Sequence, residues 1–403
     1  MNTAPTNTLN GNITLNGSKS ISNRMLIIRA LTSSNFKIAK LSNANDTVIL
    51  ERLLKQNEPL IDVGDAGTVC RFMTAYLACQ PDRKVLMGSK RMSERPIGAL
   101  VEALNTLGAS IQYVGKEGFT PIKFNLTPGN LQGGKVSMSA NISSQFISAL
   151  LMVAPLLENG IELHLEGKIV SSPYIQMTLR LMEEFGIVSV WQGNNIKVPS
   201  QEYEPQNTTV EADWSAASYY YSLVALSENA SIQLNGLHQD SVQGDAVLVD
   251  IMKPFGVETT FNEEGILLTK VAREIERFEY DFSDCPDLAQ TLMVTCAGLN
   301  IPAHLTGLET LSIKETDRLA APQTELEKLG CKVTITADSF QLRKGIDKRK
   351  KSATIDTYHD HRMAMSFAPL KLLIPKLKIK NPKVVNKSYP NFWQDFEKLG
   401  LKF

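Results

Sequence analysis

Basic side chains recur where apolar segments of the chain begin. GSKSISNR precedes one such segment, IKETDRL begins another, and RMSERP places an arginine directly before Pro96. An α-helix leaves N–H groups unpaired at its N-terminus and carries about half a positive charge there, so anions bind well at that end. We therefore predict a pocket for a substrate that carries phosphates and carboxylates. Eight cations share this placement: Lys19, Arg24, Arg71, Arg95, Lys314, Arg318, Arg362 and Lys387.

Two carboxylates among these cations suit proton transfer. Asp287 lies in the first turn of a predicted apolar helix, and Glu315 lies next to Lys314. Carboxylates are common general acids and bases. Two alternatives stay open, namely that Asp287 only complements the helix dipole and that each cation is a solvated side chain at a capped helix start.

Two motifs of small and polar residues could complete the pocket. In GDAGTVCR, Gly67 lets a ligand approach the backbone closely. In NISSQF, Ser143, Ser144 and Gln145 offer hydrogen bonds to phosphate or hydroxyl groups. Plain capping of the next helix is the alternative for these three residues.

The elements that must position these residues form a repeat. An amphipathic helix, a glycine and a short alternating strand recur five times, about every 70–78 residues. Between these copies lie apolar helices with small or polar openings, which begin near residues 18, 65, 142, 213, 284 and 358. We expect the apolar helices to be buried. The repeated glycines, which suit left-handed helix caps, are Gly108, Gly186, Gly256, Gly330 and Gly400.

The repeats divide into two groups of three βαβαββ units and predict an α/β protein with two similar domains. The N-terminal domain is expected at about residues 17–211 and the C-terminal domain at 212–403. A length of 403 residues fits two domains. The alternative is one long α/β chain in which the repeats are accidental.

Composition excludes several other classes of protein. Lys+Arg and Asp+Glu both number 42, so the chain lacks the basic excess of a nucleic-acid or anionic-membrane binder. Five scattered cysteines without CxxC spacing, and few histidines, argue against disulfides and a metal site. No signal peptide and no run of 18 apolar residues is visible, so we expect a cytoplasmic protein without a membrane span.

The motifs resemble those of enolpyruvylshikimate-phosphate synthases, also called 3-phosphoshikimate 1-carboxyvinyltransferases. GSKSISNR, the AGT turn, RMSERPIG, SSQF, SSPYI, PDLAQT, KETDR and DHRMAM occur in the family's order over nearly the whole chain. The resemblance implies two domains, each a threefold βαβαββ assembly or inside-out α/β barrel, with the active site in the interdomain cleft. It also implies that about residues 1–14 cross into the C-terminal domain.

The resemblance further implies a role for each matching residue. Shikimate 3-phosphate would contact Lys19, Ser20, Arg24, Ser143, Ser144, Gln145, Ser171, Asp287 and Lys314. Phosphoenolpyruvate would contact Lys19, Gly67, Arg95, Gln145, Arg318, Arg362 and Lys387. The catalytic residues would be Asp287, Glu315 and Lys19.

By this resemblance the chain would transfer an enolpyruvyl group between these two substrates in the shikimate pathway, as a monomer without metal or cofactor.

Three departures from the family pattern stand out. Asp65 and Thr310 each replace a frequent asparagine, and a carboxylate at position 65 would repel phosphoenolpyruvate unless it is paired, for instance with Arg71. The stretch KQNEPLIDVG is short, which suggests a missing strand pair.

Two other functions compete with this hypothesis. The first is the related transferase that acts on UDP-N-acetylglucosamine, and the second is a non-catalytic paralogue that senses shikimate phosphates. KETDR and DHRMAM, and the lack of a convincing reactive cysteine in a mobile loop, speak against the first. The joint presence of Lys19, Asp287 and Glu315 speaks against the second.

Overall fold

The structure, a computed structural model, describes residues 8–80, 83–125, 131–141 and 143–403. The described chain divides into two compact units. The N-terminal unit is Lys19–Val210, and the C-terminal unit joins the described residues up to Ser18 with Glu211–Phe403.

Helices and strands alternate along both units. The described residues form the α-helices α1 Lys19–Leu31, α2 Asn45–Lys55, α3 Gly67–Ala78, α4 Gly98–Thr106, α5 Ser144–Val153, α6 Ser172–Glu184, α7 Trp214–Leu226, α8 Leu248–Met252, α9 Ala289–Leu299, α10 Ala320–Lys328, α11 His361–Phe367 and α12 Phe392–Lys398. The strands are β1 Thr8–Thr14, β2 Ile38–Ala39, β3 Leu60–Asp62, β4 Val85–Met87, β5 Ile111–Tyr113, β6 Ile122–Phe124, β7 Gly134–Ser139, β8 Ile161–Glu166, β9 Val190–Gln192, β10 Asn195–Val198, β11 Thr208–Thr209, β12 Asn229–Asn235, β13 Val257–Asn262, β14 Gly265–Lys270, β15 Phe278–Asp281, β16 Ala303–Thr306, β17 Lys332–Ile335, β18 Phe340–Lys344, β19 Ser352–Ile355 and β20 Lys376–Ile379.

The same sheet recurs twice in each unit. The N-terminal unit contains sheets of order β3-β4-β6-β5 and β7-β8-β10-β9, and the C-terminal unit contains β1-β12-β14-β13 and β15-β16-β18-β17. In each sheet the first pair of strands is parallel and the other two pairs are antiparallel. This shared order confirms the repeat that the sequence predicts. The sheets are open and, among the described residues, do not close into a barrel.

The third sheet of each unit is smaller than a full repeat requires. It consists of β2 and β11 in the N-terminal unit and of β19 and β20 in the C-terminal unit. Only residues 56–59 separate α2 from β3, too few for an additional hairpin. The strand pair expected to be missing at KQNEPLIDVG is therefore absent from the described chain.

Strand β1 lies beside a strand more than 200 residues later in the sequence. It pairs in parallel with β12, from Thr8 opposite Asn229 to Thr14 opposite Asn235. Residues 8–14 therefore belong to a sheet of the C-terminal unit. Residues 1–7, the rest of the segment expected to cross over, lie outside the described residues.

The apolar helices α1, α3, α5, α7, α9 and α11 are buried, as predicted. In α5, for example, Phe146, Ile147, Leu150 and Leu151 are at most 4% exposed. Burial of each such side chain stabilises the fold by about 1.5–3 kcal/mol. These helices have apolar residues on nearly all faces, which explains why they form the core of each unit.

The five repeated glycines follow helices in left-handed conformations, with φ between 81° and 107°. A side chain is disfavoured at such a φ, which explains why glycine recurs at these positions. Four of the five are followed by the strands β5, β9, β13 and β17, and residues 401–403 after Gly400 form no strand.

Candidate active site

In the N-terminal unit, hydrogen bonds join the first turns of several helices. The Gln145 Nε2 group at the start of α5 donates to Thr68 Oγ1 at the start of α3, over 3.1 Å. Lys19, the first residue of α1, forms an ion pair of 3.3 Å with buried Asp46 at the start of α2. These contacts tie two residues of the predicted site, Gln145 and Lys19, to the starts of neighbouring helices.

Arg24 is held by the protein itself. Its Nε donates to Thr178 Oγ1 over 2.7 Å, and its terminal nitrogens donate to Ser148 Oγ and to the backbone oxygens of Ser20 and Tyr174. The side chain is 3% exposed, and burial lowers its pKa to about 10. Arg24 thus ties α1 to α5 and α6, while its expected contact with the substrate stays a prediction.

The predicted serines occupy helix starts. Ser143 caps α5, with its hydroxyl accepting from Gln145 N over 3.4 Å. Ser144 is 8% exposed. Ser171 precedes α6 with φ 57°, an uncommon left-handed value for a serine, and Ser20 is partly buried in α1.

Arg95 lies directly against the backbone of Gly67. A Cβ atom added at Gly67 would overlap the Arg95 guanidinium, so only glycine permits this approach. Arg95 is 8% exposed and Arg71 is 3% exposed. Arg71 donates to the backbone oxygens of Gly67, over 3.2 Å, and of Pro96, over 2.7 Å. The two arginines therefore frame the start of α3.

Asp65, one of the departures from the family pattern, accepts a hydrogen bond from the hydroxyl of Ser89. The carboxylate lies on the exposed side of the same turn that contains Gly67. Ser89 is therefore a hydrogen-bond partner of Asp65, a role for which the sequence suggested Arg71.

In the C-terminal unit, a second group of charges surrounds Arg318, and we call it the Arg318 cluster. It comprises Asp287, Glu315, Arg318, Asp360, Arg362 and Lys387. Three of these residues are acidic and three are basic, so the cluster is formally neutral.

Arg318 is the centre of this cluster. It contacts Asp360 over 2.7 Å, Glu315 over 2.8 Å and Asp287 over 3.4 Å, and its side chain is 3% exposed. Burial lowers the pKa of Arg318, but the carboxylates of Asp360 and Glu315 raise it more, so the pKa lies above its ordinary value. Arg318 thus stays protonated.

Arg362 shares Asp287 with Arg318. Its Nη2 lies 2.7 Å from Asp287 Oδ2, and its Nη1 donates to the Asp287 backbone oxygen over 3.0 Å. Nη1 is also 3.4 Å from Tyr219 Oη. Burial raises the pKa of Tyr219 to about 12, so this phenol stays protonated near neutral pH and is a poor general base.

Glu315 lies between two cations. Its Oε2 contacts Arg318, and its Oε1 is 4.0 Å from Lys387 Nζ. Lys314 is partly buried beside it in the sequence. The structure therefore places both predicted acid–base carboxylates, Asp287 and Glu315, within reach of the same guanidinium.

A metal centre and a reactive thiol find no support in the described part of the chain. No group of three or more His, Cys, Asp or Glu side chains there could hold a metal ion. All five cysteines are free, and burial raises the pKa of every one of these thiols. Nor is any helix of the described chain long and apolar enough to cross a membrane.

Several residues that contact the predicted site or its neighbour Asp65 were missing from the sequence-based assignment, and three of them pair with charged side chains. Asp360 accepts from Arg318 and also caps α11 through Arg362 N, over 2.8 Å. Asp46 pairs with Lys19, and Ser89 contacts Asp65. The only signal for Asp360 is its position directly before His361–Arg362, and Asp46 and Ser89 resemble ordinary helix-start and turn residues.

Comparison with known proteins identifies similar chains along nearly the full length. The family model described as EPSP synthase (3-phosphoshikimate 1-carboxyvinyltransferase) matches residues 3–56 and 37–396. A 3-phosphoshikimate 1-carboxyvinyltransferase of Bacteroides fragilis is 46% identical over 96% of this chain and 95% of its own. One of Haemophilus influenzae is 34% identical over 99% and 98%.

Solved structures show the same fold. An EPSP synthase of Acinetobacter baumannii matches with a TM-score of 0.76 and 22% identity over 98% of this chain and 96% of its own. The enolpyruvyl transferase NikO of Streptomyces tendae matches with a TM-score of 0.75 and 14% identity over 97% and 95%.

Proposed function

The chain belongs to the family of EPSP synthases (3-phosphoshikimate 1-carboxyvinyltransferases), and from this premise we propose that it transfers the enolpyruvyl group of phosphoenolpyruvate to the 5-hydroxyl of shikimate 3-phosphate. Inorganic phosphate is released. This is a transferase reaction of the shikimate pathway, which leads to chorismate and the aromatic amino acids.

The observation that carries the proposal is the pairing of Asp287 and Glu315 with Arg318, over 3.4 and 2.8 Å. The reaction needs cations for the anionic substrates and groups that move protons, and this cluster contains both. We assign Arg318, Arg362 and Lys387 to phosphoenolpyruvate.

The chemistry proceeds by addition and then elimination. The 5-hydroxyl oxygen attacks C2 of phosphoenolpyruvate while C3 gains a proton, which gives a tetrahedral ketal. The bond from C2 to the phosphate oxygen then breaks as the methyl group loses a proton. One group must therefore donate and later accept a proton at carbon, while another accepts the hydroxyl proton. We assign these steps to Asp287 and Glu315, with assistance from Lys19.

The ion pairs suggest how substrate binding prepares the carboxylates. When the anionic groups of phosphoenolpyruvate take guanidinium donors from Arg318 and Arg362, Asp287 and Glu315 lose part of their compensating charge. A carboxylate beside an added anion binds a proton more readily. Binding of the substrate therefore makes these two residues better proton acceptors.

We assign the remaining residues by the resemblance of their motifs to those of the family. Lys19 would contact both substrates, and Gly67, Arg95 and Gln145 would contact phosphoenolpyruvate. Shikimate 3-phosphate would be bound by Ser20, Arg24, Ser143, Ser144, Gln145, Ser171, Asp287 and Lys314. The monomeric state and the cytoplasmic location stay predictions, which sedimentation and cell fractionation would check.

The test is phosphate release from phosphoenolpyruvate with either of two acceptors. We expect release with shikimate 3-phosphate and none with UDP-N-acetylglucosamine. Release with the sugar nucleotide alone would assign the chain to the related transferase. If neither acceptor supports release by the purified, folded protein, the proposed activity is wrong.

A further inference from the structure

The turn that leads into Asp360 has an unusual backbone. Tyr358 and His359 are consecutive residues with φ of 51° and 58°, the left-handed region that side chains disfavour. Non-glycine residues persist in this region only when surrounding contacts fix them. The turn ends at Asp360, whose backbone N–H donates to Thr357 O over 2.7 Å.

One buried carboxylate contacts this turn at two points. Glu325, in α10, is fully buried. Its Oε1 accepts from the Tyr358 hydroxyl over 2.6 Å, and its Oε2 accepts from Asp356 N over 3.3 Å. Lys328, half exposed, pairs with Glu325 over 2.6 Å and compensates its charge. The two oxygens of Glu325 thus act as a clamp that holds the backbone just before the left-handed segment and the side chain of its first residue.

The segment that leads into α10 also contacts this turn, and it does so through a residue of the proposed site. Arg318, which lies just before α10, bonds to both oxygens of Asp360, over 2.7 and 3.3 Å. Asp360 in turn caps the helix that begins with His361–Arg362. Displacement of the turn would therefore move the carboxylate that orients Arg318 and the cap that orients Arg362.

We propose that Glu325 is a positioning residue: through Tyr358 and Asp356 it holds the left-handed turn that places Asp360, and thereby Arg318 and Arg362, for the anionic groups of phosphoenolpyruvate. This inference rests on the proposed function for its substrate. Glu325 is bonded to the turn, and its effect on the two arginines passes through the turn.

Tyr358→Phe tests the clamp because it removes one hydroxyl and keeps the ring. Its matched control is Tyr221→Phe in the same unit, which removes a hydroxyl bonded to Thr259 Oγ1 over 2.8 Å. For Tyr358→Phe we expect the KM for phosphoenolpyruvate to rise about three- to tenfold, the scale of one lost hydrogen bond, with a smaller change in the KM for shikimate 3-phosphate. Tyr221→Phe should change melting temperature but neither KM.

A second substitution separates positioning from general destabilisation. His359 is exposed, and glycine adopts the left-handed conformation readily. Adding His359→Gly to Tyr358→Phe should therefore recover part of the lost affinity for phosphoenolpyruvate. Equal KM values for Tyr358→Phe and Tyr221→Phe, or no recovery in the double variant, would overturn the proposal.

Titration calorimetry with inorganic phosphate measures anion affinity without turnover, so it tests the role of Glu325 independently of the proposed activity. If wild-type protein does not turn over shikimate 3-phosphate, the proposed function fails on its own. The clamp is then judged by phosphate affinity, which should be weaker in Tyr358→Phe than in Tyr221→Phe. The same phosphate affinity in both folded variants would reject the role of Glu325.

Discussion

The hydroxyl of Ser89 joins two turns of the N-terminal unit by donating to the carboxylate of Asp65 and accepting from Met92 N over 3.2 Å. Asp65 precedes Gly67, and Ser89 precedes the short 3-10 helix that leads to Arg95. Ser89 N also donates to Gly64 O over 3.0 Å. The Asp65–Ser89 pair therefore connects the turn that contains Gly67 to the segment that positions Arg95 against Gly67.

This relationship predicts the effect of changing Asp65. An asparagine side chain retains an oxygen that can accept from Ser89, so Asp65→Asn should leave the KM for phosphoenolpyruvate within about twofold of wild type. Asp65→Ala and Ser89→Ala each remove the bond, and each should raise that KM about fivefold, the effect of one hydrogen bond. Steady-state kinetics at saturating shikimate 3-phosphate measures the change.

The double variant provides the control for the Asp65 prediction. Because Asp65→Ala and Ser89→Ala remove the same interaction, their combined effect should be smaller than the product of the single effects. Fully multiplicative effects would show that the two residues act independently. If Asp65→Asn raises the KM for phosphoenolpyruvate as much as Asp65→Ala does, the charge of Asp65, rather than its hydrogen bond, is needed.

Gly67→Ala should weaken phosphoenolpyruvate binding without unfolding the protein. The added methyl group overlaps the guanidinium of Arg95, the far end of a flexible side chain that can shift. We expect a higher KM for phosphoenolpyruvate and a melting temperature close to that of wild type. Gly115→Ala is the matched control, because its methyl group would meet no atom within 4 Å. If Gly67→Ala leaves the KM for phosphoenolpyruvate unchanged, the assignment of Arg95 to phosphoenolpyruvate is wrong.

Asp287→Ala should lower kcat at least about 100-fold, the usual scale for loss of an acid–base group. The change also leaves buried Arg362 without the carboxylate that lies 2.7 Å away, so thermal melting must accompany the assay. Asp287→Asn keeps the volume and an acceptor oxygen, and it should lose kcat while melting nearer to wild type. Near-normal kcat in Asp287→Asn would refute the catalytic role.

Lys19→Met should also lower turnover at least about 100-fold, because the proposed site loses a cation. It leaves Asp46 buried without the ammonium that lies 3.3 Å away. Lys19→Arg keeps the positive charge and should retain more activity than Lys19→Met at a similar melting temperature. Equal kcat values for Lys19→Met and wild type would exclude Lys19 from the reaction.

The fold was largely predictable because its repeat has a local physical signature. Apolar periodicity marks helices, and a glycine after an amphipathic helix marks a left-handed cap, as at Gly108 and Gly330. The reduced sheet of β19 and β20 was not predicted. Strand pairing depends on distant segments, and nothing local to Ser352–Ile355 reveals how many partners it has.

The charged residues of the candidate site could be selected from the sequence by residue type, but their pairing could not. Helix-start position selected Arg318 and Arg362, yet the sequence suggested a cationic pocket, whereas the structure pairs these arginines with carboxylates. Asp360 and Glu325 act through contacts between segments about 30–40 residues apart, as the bond between Tyr358 and Glu325 shows. Such contacts follow from packing, which a single sequence does not display.

The cysteines offer a last prediction, one that separates the proposed function from the transferase that acts on UDP-N-acetylglucosamine. Burial raises the pKa of Cys79 and of Cys331 to about 12, above the value of about 9 for an unfolded thiol. Only the thiolate reacts with alkylating reagents. At pH 8 the native protein should therefore be alkylated at least about 100-fold more slowly than protein unfolded in guanidinium, in which all five thiols react.

The raised pKa values of Cys79 and Cys331 also determine how the free energy of unfolding changes with pH. Because the folded state raises these pKa values, their contribution to stability is fully present below pH 9 and is lost as the pH rises towards 12. Guanidinium unfolding at pH 8 and pH 10 should show a lower unfolding free energy at pH 10. One thiol that is alkylated rapidly in the native state at pH 8 would contradict this account. It would reveal an activated cysteine and favour the rival transferase, and mass spectrometry of the labelled peptide would identify it.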